Sequence, residues 1–88
     1  MVKTIVYRGE QFQIRNIGFV FGNFDGTAYR YRPNAKIFKY QRLGHIGFPI
    51  KKHDSIEMGI KIQLDHILMK EKAEQEIARK IQEFEKNI

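Results

Sequence analysis

Residues 23–43, NFDGTAYRYRPNAKIFKYQRL, indicate an antiparallel sheet more clearly than any other part of this chain. The stretch begins with a turn signal at 23–26, because its Asp and Gly both tolerate left-handed backbone. A run typical of a β-strand follows at 27–32, and Pro33 then fixes a backbone angle that favours a second turn. The chain returns as a strand at 36–43. Two strands joined by so short a turn pair antiparallel, so the sequence predicts a β-hairpin.

The chain before this hairpin also has the pattern of strands. Residues 3–8, KTIVYR, are mostly β-branched or aromatic, and a turn is expected after them. From Phe12 to Phe21, apolar residues alternate with polar or small ones in two phases, and the phase changes near Arg15. Because one extra residue in a strand shifts the alternation, we expect a β-bulge or a short turn at this point.

Residues 56–64 support two interpretations. Five apolar residues alternate there with polar residues or glycine: Ile56, Met58, Ile60, Ile62 and Leu64. This period of two favours a strand, and Gly59 would cost a helix about 1 kcal/mol relative to alanine. The alternative is a long helix that begins here, since Asp54 and Glu57 have the spacing of a capping box, with aspartate in place of Ser or Thr. We predict a strand and keep the helix as the alternative.

A long helix is expected from residue 65 to residue 88. Residues 67–87 contain no Gly or Pro, and apolar residues recur at spacings of three and four, as on one face of a helix. The sequence therefore predicts one α+β domain over residues 1–88. Its basic β-rich body, 1–64, is expected to form an antiparallel sheet or small barrel of five to six strands, followed by one long C-terminal helix at 65–88.

The net charge of +6 is concentrated in the first part of the chain. Residues 1–53 hold ten Lys or Arg and two acids, whereas residues 54–88 hold six Lys or Arg and eight acids. A body this basic favours a polyanionic partner, and the tail favours packing or a protein partner. The chain has no cysteine, which excludes disulfides and thiolate metal sites and fits the cytoplasm. No apolar run is long enough to span a membrane and no secretory signal is present, so we expect no membrane partner.

Alternation within the predicted hairpin sorts its side chains into two faces. One sorting places four side chains in the core: Tyr29, Tyr31, Ile37 and Leu43. The opposite face then combines cations with aromatic rings: Arg30, Arg32, Lys36, Phe38, Tyr40 and Arg42. Bases stack on aromatic rings and phosphates pair with cations, so this face is typical of a surface for single-stranded nucleic acid. In the alternative, the aromatics are cross-strand core contacts and the cations lie on a solvated edge.

The predicted function is therefore non-enzymatic binding of nucleic acid, with RNA or another single strand preferred. Duplex DNA is disfavoured, because the predicted helix is not basic and cannot serve as a recognition helix. The candidate contacts are Arg15, Arg30, Arg32, Lys36, Phe38, Lys39, Tyr40, Arg42, Lys51 and Lys52. His45, His53 and His66 lack the spacing of zinc ligands, and nothing singles them out as a nuclease site. No metal or cofactor is expected.

Residues 17–24, IGFVFGNF, partly resemble the RNP1 segment of RNA-recognition motifs and cold-shock domains. Four positions match the pattern: Gly18, Phe19, Phe21 and Phe24. Three depart from it, where Ile17 replaces a basic residue, Val20 a small residue and Gly22 a valine. The seventeen residues before Gly18 are too few for the elements that precede this segment in an RNA-recognition motif. The alternative is that this segment is a buried strand. Phe19 and Phe21 are then core residues, and Phe24 stands exposed in the turn beside the hairpin.

The predicted helix carries a second candidate surface. Its last turns are expected to extend past so small a sheet, and they hold an apolar stripe: Ile77, Ile81, Phe84 and Ile88. One interpretation is packing on the chain's own sheet. The other is contact with a protein partner or with a second copy of the chain. The latter supports an alternative function, a small inhibitor or adaptor that docks on an enzyme as an antitoxin does, with RNA bridging the complex in one variant.

Overall fold

The computed structural model describes residues 1–86, which form a four-stranded antiparallel sheet with one long helix packed on one face. The strands are β1 (Lys3–Tyr7), β2 (Glu10–Val20), β3 (Asn23–Tyr31) and β4 (Tyr40–Pro49), and they lie in the sheet in chain order. A short 3-10 helix at Ile50–Lys52 leads to α1 (Ile56–Lys86). The predicted α+β class, with an antiparallel sheet and a C-terminal helix, is confirmed.

The predicted count of five to six strands is not confirmed, and two places account for the difference. β2 is one eleven-residue strand that continues through the phase change, because Asn16, with a φ of 56°, forms a bulge and pairing with β3 resumes at Gly18. The expected bulge is therefore confirmed and does not divide the strand. Residues 56–64 are helical, so the strand predicted there is wrong.

The helix begins at Ile56 rather than at residue 65, because Ser55 caps it and Gly59 lets it approach the sheet. The Ser55 hydroxyl accepts a hydrogen bond from the Met58 N–H at 3.1 Å, which satisfies one of the free donors of the first turn. Gly59 lies against the ring of Phe48 on β4, where a Cβ atom would come within 2.4 Å of a ring carbon. Gly59, which argued against a helix when the sequence was considered alone, thus allows α1 to pack closely on β4.

One face of the sheet and the first half of α1 form the core. The buried hydrophobic residues are Ile5, Phe12, Ile14, Phe24, Ala28, Ile46, Phe48, Ile60 and Leu64. Phe24, predicted to stand exposed in a turn, is instead buried and stacks on Phe48 with a centroid distance of 5.1 Å. Phe19 and Phe21, predicted for the core, are exposed. The reason is a shift of the turn, which lies at residues 21–22 and not at 23–26.

A polar contact ties the first hairpin to the helix. The Asp65 carboxylate of α1 accepts hydrogen bonds from Arg8 Nε and from the Tyr7 hydroxyl, each at 2.7 Å. These two donors favour the charged carboxylate and lower the pKa of Asp65, with Arg8 making the larger contribution. The first strand pair is thereby fixed to the middle of α1.

The second half of α1 extends past the sheet. Every residue from Lys72 to Lys86 is exposed, which corresponds to about 22 Å of helix. The expected overhang is therefore confirmed, and Ile77, Ile81 and Phe84 lie on it with more than half of their surface exposed. Ile88 lies outside the described residues. Within residues 1–86, no helix combines the length and the apolar composition that crossing a bilayer requires.

Candidate nucleic-acid interface

The face of the sheet opposite α1, the open face, carries aromatic rings and cations. In β3, Ala28 is fully buried against the helix, so its neighbour Tyr29 and, two residues on, Tyr31 lie on the open face. Residues paired directly across an antiparallel sheet share a face. Tyr40 pairs with Tyr31 and Arg42 pairs with Tyr29, which places both β4 side chains on the open face as well.

Arg15 of β2 is the centre of this surface. Its guanidinium carbon lies 4.2 Å from the centroid of the Tyr29 ring and 4.9 Å from that of Tyr40. Its Nε donates a hydrogen bond to the Gln13 side chain at 2.6 Å, which fixes the guanidinium. Tyr40 also packs on Tyr31, with a centroid distance of 5.2 Å. The cation–π contacts of Arg15 thus link strands β2, β3 and β4, and the ring contact adds Tyr31. We call these four side chains the tyrosine–arginine cluster: Arg15, Tyr29, Tyr31 and Tyr40.

The loop between β3 and β4, residues 32–39, extends from one end of this cluster. The loop is closed by its own hydrogen bonds: the Arg32 N–H donates to the Lys39 carbonyl at 2.6 Å, and Lys39 Nζ donates to the Pro33 carbonyl at 2.9 Å. Its exposed members include three cations and one ring: Arg32, Lys36, Lys39 and Phe38. The loop therefore adds positive charge and an exposed ring to the edge of the cluster.

The predicted second strand of the hairpin starts too early. β4 begins at Tyr40 and not at residue 36, because Arg32 and Lys39 pair across the base of the loop and leave the residues between them outside the sheet. Ile37, predicted for the core, is consequently 80% exposed. Leu43 packs against the core, as predicted.

The cations at this end of the molecule are not neutralised by acidic side chains. Among residues 1–86, no ion pair involves Arg15, Arg32, Lys36, Lys39 or Arg42. The two acids of residues 1–53 are engaged elsewhere, Glu10 beside Arg30 and Asp25 with His45. Unpaired positive charge beside aromatic rings on an uncovered face is the surface that a polyanion with flat bases requires.

Arg30 does not belong to the open face. Its Nη1 donates a hydrogen bond to Glu71 of α1 at 2.9 Å, and its side chain is 16% exposed. Its Nε lies 3.1 Å from a Glu10 carboxylate oxygen, within ion-pair distance but outside hydrogen-bond geometry. The predicted sorting of faces was therefore wrong for β3. Tyr29 and Tyr31 face outward and Arg30 faces the helix, because Phe24 and Ala28 set the phase of the strand.

Lys51 and Lys52 lie at the opposite end of the sheet. The Ile50 N–H donates to the Gly22 carbonyl at 3.0 Å, so the 3-10 helix with its two exposed lysines starts beside the β2–β3 turn. The predicted contacts thus divide into three groups. Arg15, Arg32, Lys36, Phe38, Lys39, Tyr40 and Arg42 lie at the end near the cluster; Lys51 and Lys52 lie at the turn; Arg30 lies beneath the sheet.

Sequence reasoning missed two features of the open face. Tyr29 and Tyr31 were assigned to the core, although the phase of the apolar residues earlier in β3 would have placed them outside. The contact between His45 Nε2 and the Asp25 carboxylate was also missed, because it joins β3 and β4 across the sheet. This contact could be predicted only from the register of β3 against β4, and that register depends on the bulge between Ala28 and Tyr29.

No relative supplies a function for this surface. Comparison of the chain with protein-family models, with curated proteins and with solved structures gives no significant match. Within residues 1–86, no group of three or more His, Cys, Asp or Glu side chains is arranged to hold a metal ion. The chemistry of the open face therefore carries the functional interpretation.

Proposed function

We propose that this chain is a non-enzymatic, single-strand nucleic-acid-binding protein, with RNA as the preferred ligand, and that it binds on the open face of its sheet. The observation that carries the proposal is the tyrosine–arginine cluster, where the Arg15 guanidinium lies against two tyrosine rings on an uncovered face. Unstacked bases bind to aromatic rings and to guanidinium planes, and such bases are available in single strands. The absence of cysteine fits a reducing compartment, and a cytoplasmic location is part of the proposal.

The side chains of the interface have two roles. Tyr31 and Tyr40 present rings on which bases stack; they pack on each other, and Arg15 packs against Tyr40 on the same face. The cations around the cluster pair with phosphates: Arg32, Lys36, Lys39 and Arg42. Phe38, 81% exposed in the loop, offers a further ring at the edge. Stacking is tolerant of base identity, so we expect affinity for single strands with little sequence preference.

Fluorescence anisotropy tests the proposal directly. Labelled single-stranded RNA of about 12 nucleotides, the matching single-stranded DNA and a duplex DNA are titrated at several salt concentrations. We expect the single strands to bind more tightly and the logarithm of affinity to fall linearly with the logarithm of salt concentration. Tyr40→Ala should weaken binding by about five- to 150-fold, the effect of one lost base–ring stack. Arg42→Ala should reduce the salt slope by about one phosphate contact.

The chain offers matched controls for both substitutions. Met69→Ala removes an exposed apolar side chain and Arg79→Ala removes an exposed cation, both from α1, which packs on the other side of the sheet from the open face. Each should leave affinity and salt slope unchanged. Absence of binding by the wild-type chain at low salt would refute the proposal, and so would Tyr40 and Arg42 variants that bind as the wild type does.

The overhang of α1 supports a second role, because it carries an apolar stripe past the end of the sheet, where the stripe is exposed. Ile60 and Leu64 face the core. Ile77, Ile81 and Phe84 are rotated from them by about 100° around the helix axis, at 3.6 residues per turn. Ile77 also lies about five full turns after Gly59, so the stripe continues the side of α1 that meets Phe48 and is left uncovered past the sheet. The residues bordering it are Lys80 and Glu85.

We propose that this stripe pairs with the same stripe of a second copy as a short parallel coiled coil. Ile77, Ile81 and Phe84 follow the spacing of four and three that places apolar residues in a coiled-coil seam. Lys80 and Glu85 then take the two flanking positions that meet across a parallel pair, with opposite charges. This complementarity favours a second copy over the enzyme partner of the inhibitor or adaptor interpretation.

Sedimentation velocity over a concentration series tests the pairing. The wild-type chain should move from 10.5 kDa towards twice that mass as concentration rises, and Ile81→Glu should keep it at the single-chain mass. Met69→Glu is the matched control, because Met69 is also an exposed apolar residue and lies on another side of the same helix. A wild-type chain that stays monomeric at high concentration would rule out this second role and leave the nucleic-acid proposal untouched.

A further inference from the structure

The turn between β2 and β3 holds a bulky side chain in a conformation that such side chains rarely adopt. Phe21 has a φ of 50° and Gly22 a φ of 76°, so the two residues form a tight turn of the primed type between Val20 and Asn23. Asn, Asp and Gly are the residues preferred in such turns, because left-handed backbone strains other side chains. The Phe21 ring is also 99% exposed, so it gains nothing from burial.

The other tight turn of the sheet shows what normally compensates such a conformation. Arg8 and Gly9 have φ angles of 52° and 76°, close to those of Phe21 and Gly22. Arg8, however, forms an ion pair with Asp65 at 2.7 Å and lies over the Tyr7 ring at 5.4 Å. The fold thus uses the Arg8 side chain, whereas the Phe21 side chain has no role in the fold. A strained and exposed aromatic residue without a structural role is typical of a ligand contact.

A groove of about 430 Å³ lies beside the Phe21 ring. Its lining is mainly apolar, with Val20 and Pro49 next to Phe21, and Gly47 contributes no side chain that would fill it. Asn23 and Asp25 add polar groups at its edge. A mostly apolar groove with a few polar groups suits a flat, partly polar ligand, and a nucleobase has this character.

Positive charge stands next to the same turn. Lys51 and Lys52 are exposed, no acid among residues 1–86 forms an ion pair with them, and the Ile50 N–H bonds to the Gly22 carbonyl. The two lysines therefore supply phosphate partners beside the groove, as the cations of the loop do at the other end. The β3 residues from Asn23 to Tyr29 span about 20 Å between the two ends. A single strand of nucleic acid lying along the open face would connect them.

We infer that the β2–β3 turn is a second subsite for the same nucleic acid, in which one base stacks on Phe21 within the groove and Lys51 and Lys52 hold the adjoining phosphates. The inference rests on the proposed function and extends its surface from one end of the sheet to the other. It also assigns a role to the one strained aromatic residue among residues 1–86.

Phe21→Asn separates the contribution of the ring to binding from its contribution to folding. The substitution creates an Asn-Gly turn, the preferred sequence for this geometry, so the melting temperature should rise. Affinity for single-stranded RNA of about 12 nucleotides should fall by about five- to 150-fold, as for one lost stack. Affinity for an RNA of about 4 nucleotides, which can occupy the cluster alone, should stay the same. Met69→Asn, which removes an exposed apolar side chain of α1 outside the stripe, should leave both affinities unchanged.

The outcomes distinguish the inference from the proposed function. If Phe21→Asn binds the longer RNA as tightly as the wild type while Tyr40→Ala binds it weakly, the second subsite does not exist and the proposed function stands. If the wild-type chain binds neither RNA, both fail. A melting temperature that falls in Phe21→Asn would show that the ring supports the fold, and this result would also overturn the inference.

Discussion

Replacement of Gly59 by alanine is expected to destabilise the fold, although the same change stabilises an isolated helix. Alanine is favoured over glycine by about 1 kcal/mol inside a helix, so local propensity predicts a gain. At this position a Cβ atom would lie 2.4 Å, 2.5 Å and 2.9 Å from three carbons of the Phe48 ring. Real Cβ atoms do not approach so closely, so either the ring or the helix must move.

The Phe48 ring has little room to move. It stacks on Phe24 at 5.1 Å with an interplanar angle of 21°, and it meets the His53 ring at 5.3 Å and 78°. Adding a methyl group to a packed core costs about 1–3 kcal/mol, and the closeness of these contacts places the cost in the upper part of that range. After subtraction of the propensity gain, Gly59→Ala should lower the free energy of unfolding by about 1–2 kcal/mol.

Thermal and urea denaturation followed by circular dichroism measure this change. Each kcal/mol should shift the melting temperature by about 4–8 °C for a domain of this size. Gly18→Ala is the matched control, because a Cβ atom at Gly18 meets no atom within 4 Å and its φ is not in the left-handed region. The control should be neutral or slightly stabilising. A Gly59→Ala chain that is more stable than the wild type would refute the reasoning and with it the close crossing of α1 over β4.

Two further predictions concern polar contacts. Arg30→Ala should lower the free energy of unfolding by about 1–3 kcal/mol, because it leaves the partly buried Glu71 without its hydrogen-bond donor, yet it should leave RNA affinity unchanged in the anisotropy assay. The effect of Asp65→Asn should depend on pH, because hydrogen bonds from Arg8 and Tyr7 lower the pKa of Asp65 in the folded chain. The melting temperatures of wild type and variant should differ by a constant amount from neutral pH down to about pH 4, the ordinary carboxyl pKa, and should converge as the pH falls further through the folded pKa. A difference that grows in acid would contradict the assignment.

Local patterns were sufficient for the elements with a single consistent period. The helix from residue 65 was predicted from a period of 3.6 without Gly or Pro, and the bulge in β2 from a change of phase. Residues 56–64 illustrate the limit. Ile56, Ile60 and Leu64 are spaced by four, so the same residues that alternate as in a strand also line one side of a helix. Gly59 led to the wrong prediction of a strand. A glycine is needed there because the helix contacts Phe48, which the local pattern of residues 56–64 does not include.

Composition drew attention to the segment of the proposed binding surface but did not predict which of its side chains face outward. Period two separates the tyrosines of the YRYR segment, residues 29–32, from its arginines, and it does not say which set faces the core. Tyrosine is the better core residue of the two types, which is why the sequence favoured the wrong sorting. The orientation depends on Phe24 and Ala28, which are buried, and on Glu10 and Glu71, which lie far apart in sequence and meet beside Arg30.

This inversion bears on function. The fold places an arginine beneath the sheet, where two acids accompany it, and leaves the neighbouring tyrosine rings on the face without a helix. Residues 29–32 taken by themselves would favour the opposite arrangement, because a guanidinium loses more hydration on burial than a tyrosine ring does, but the buried Phe24 and Ala28 fix the phase of the strand. The same conflict between local preference and observed structure occurs at Phe21, whose ring is exposed on strained backbone. Such conflicts are expected where a side chain serves a ligand rather than the fold. Both of these occur among the aromatic residues assigned to the nucleic-acid surface, which supports a single ligand path along the sheet.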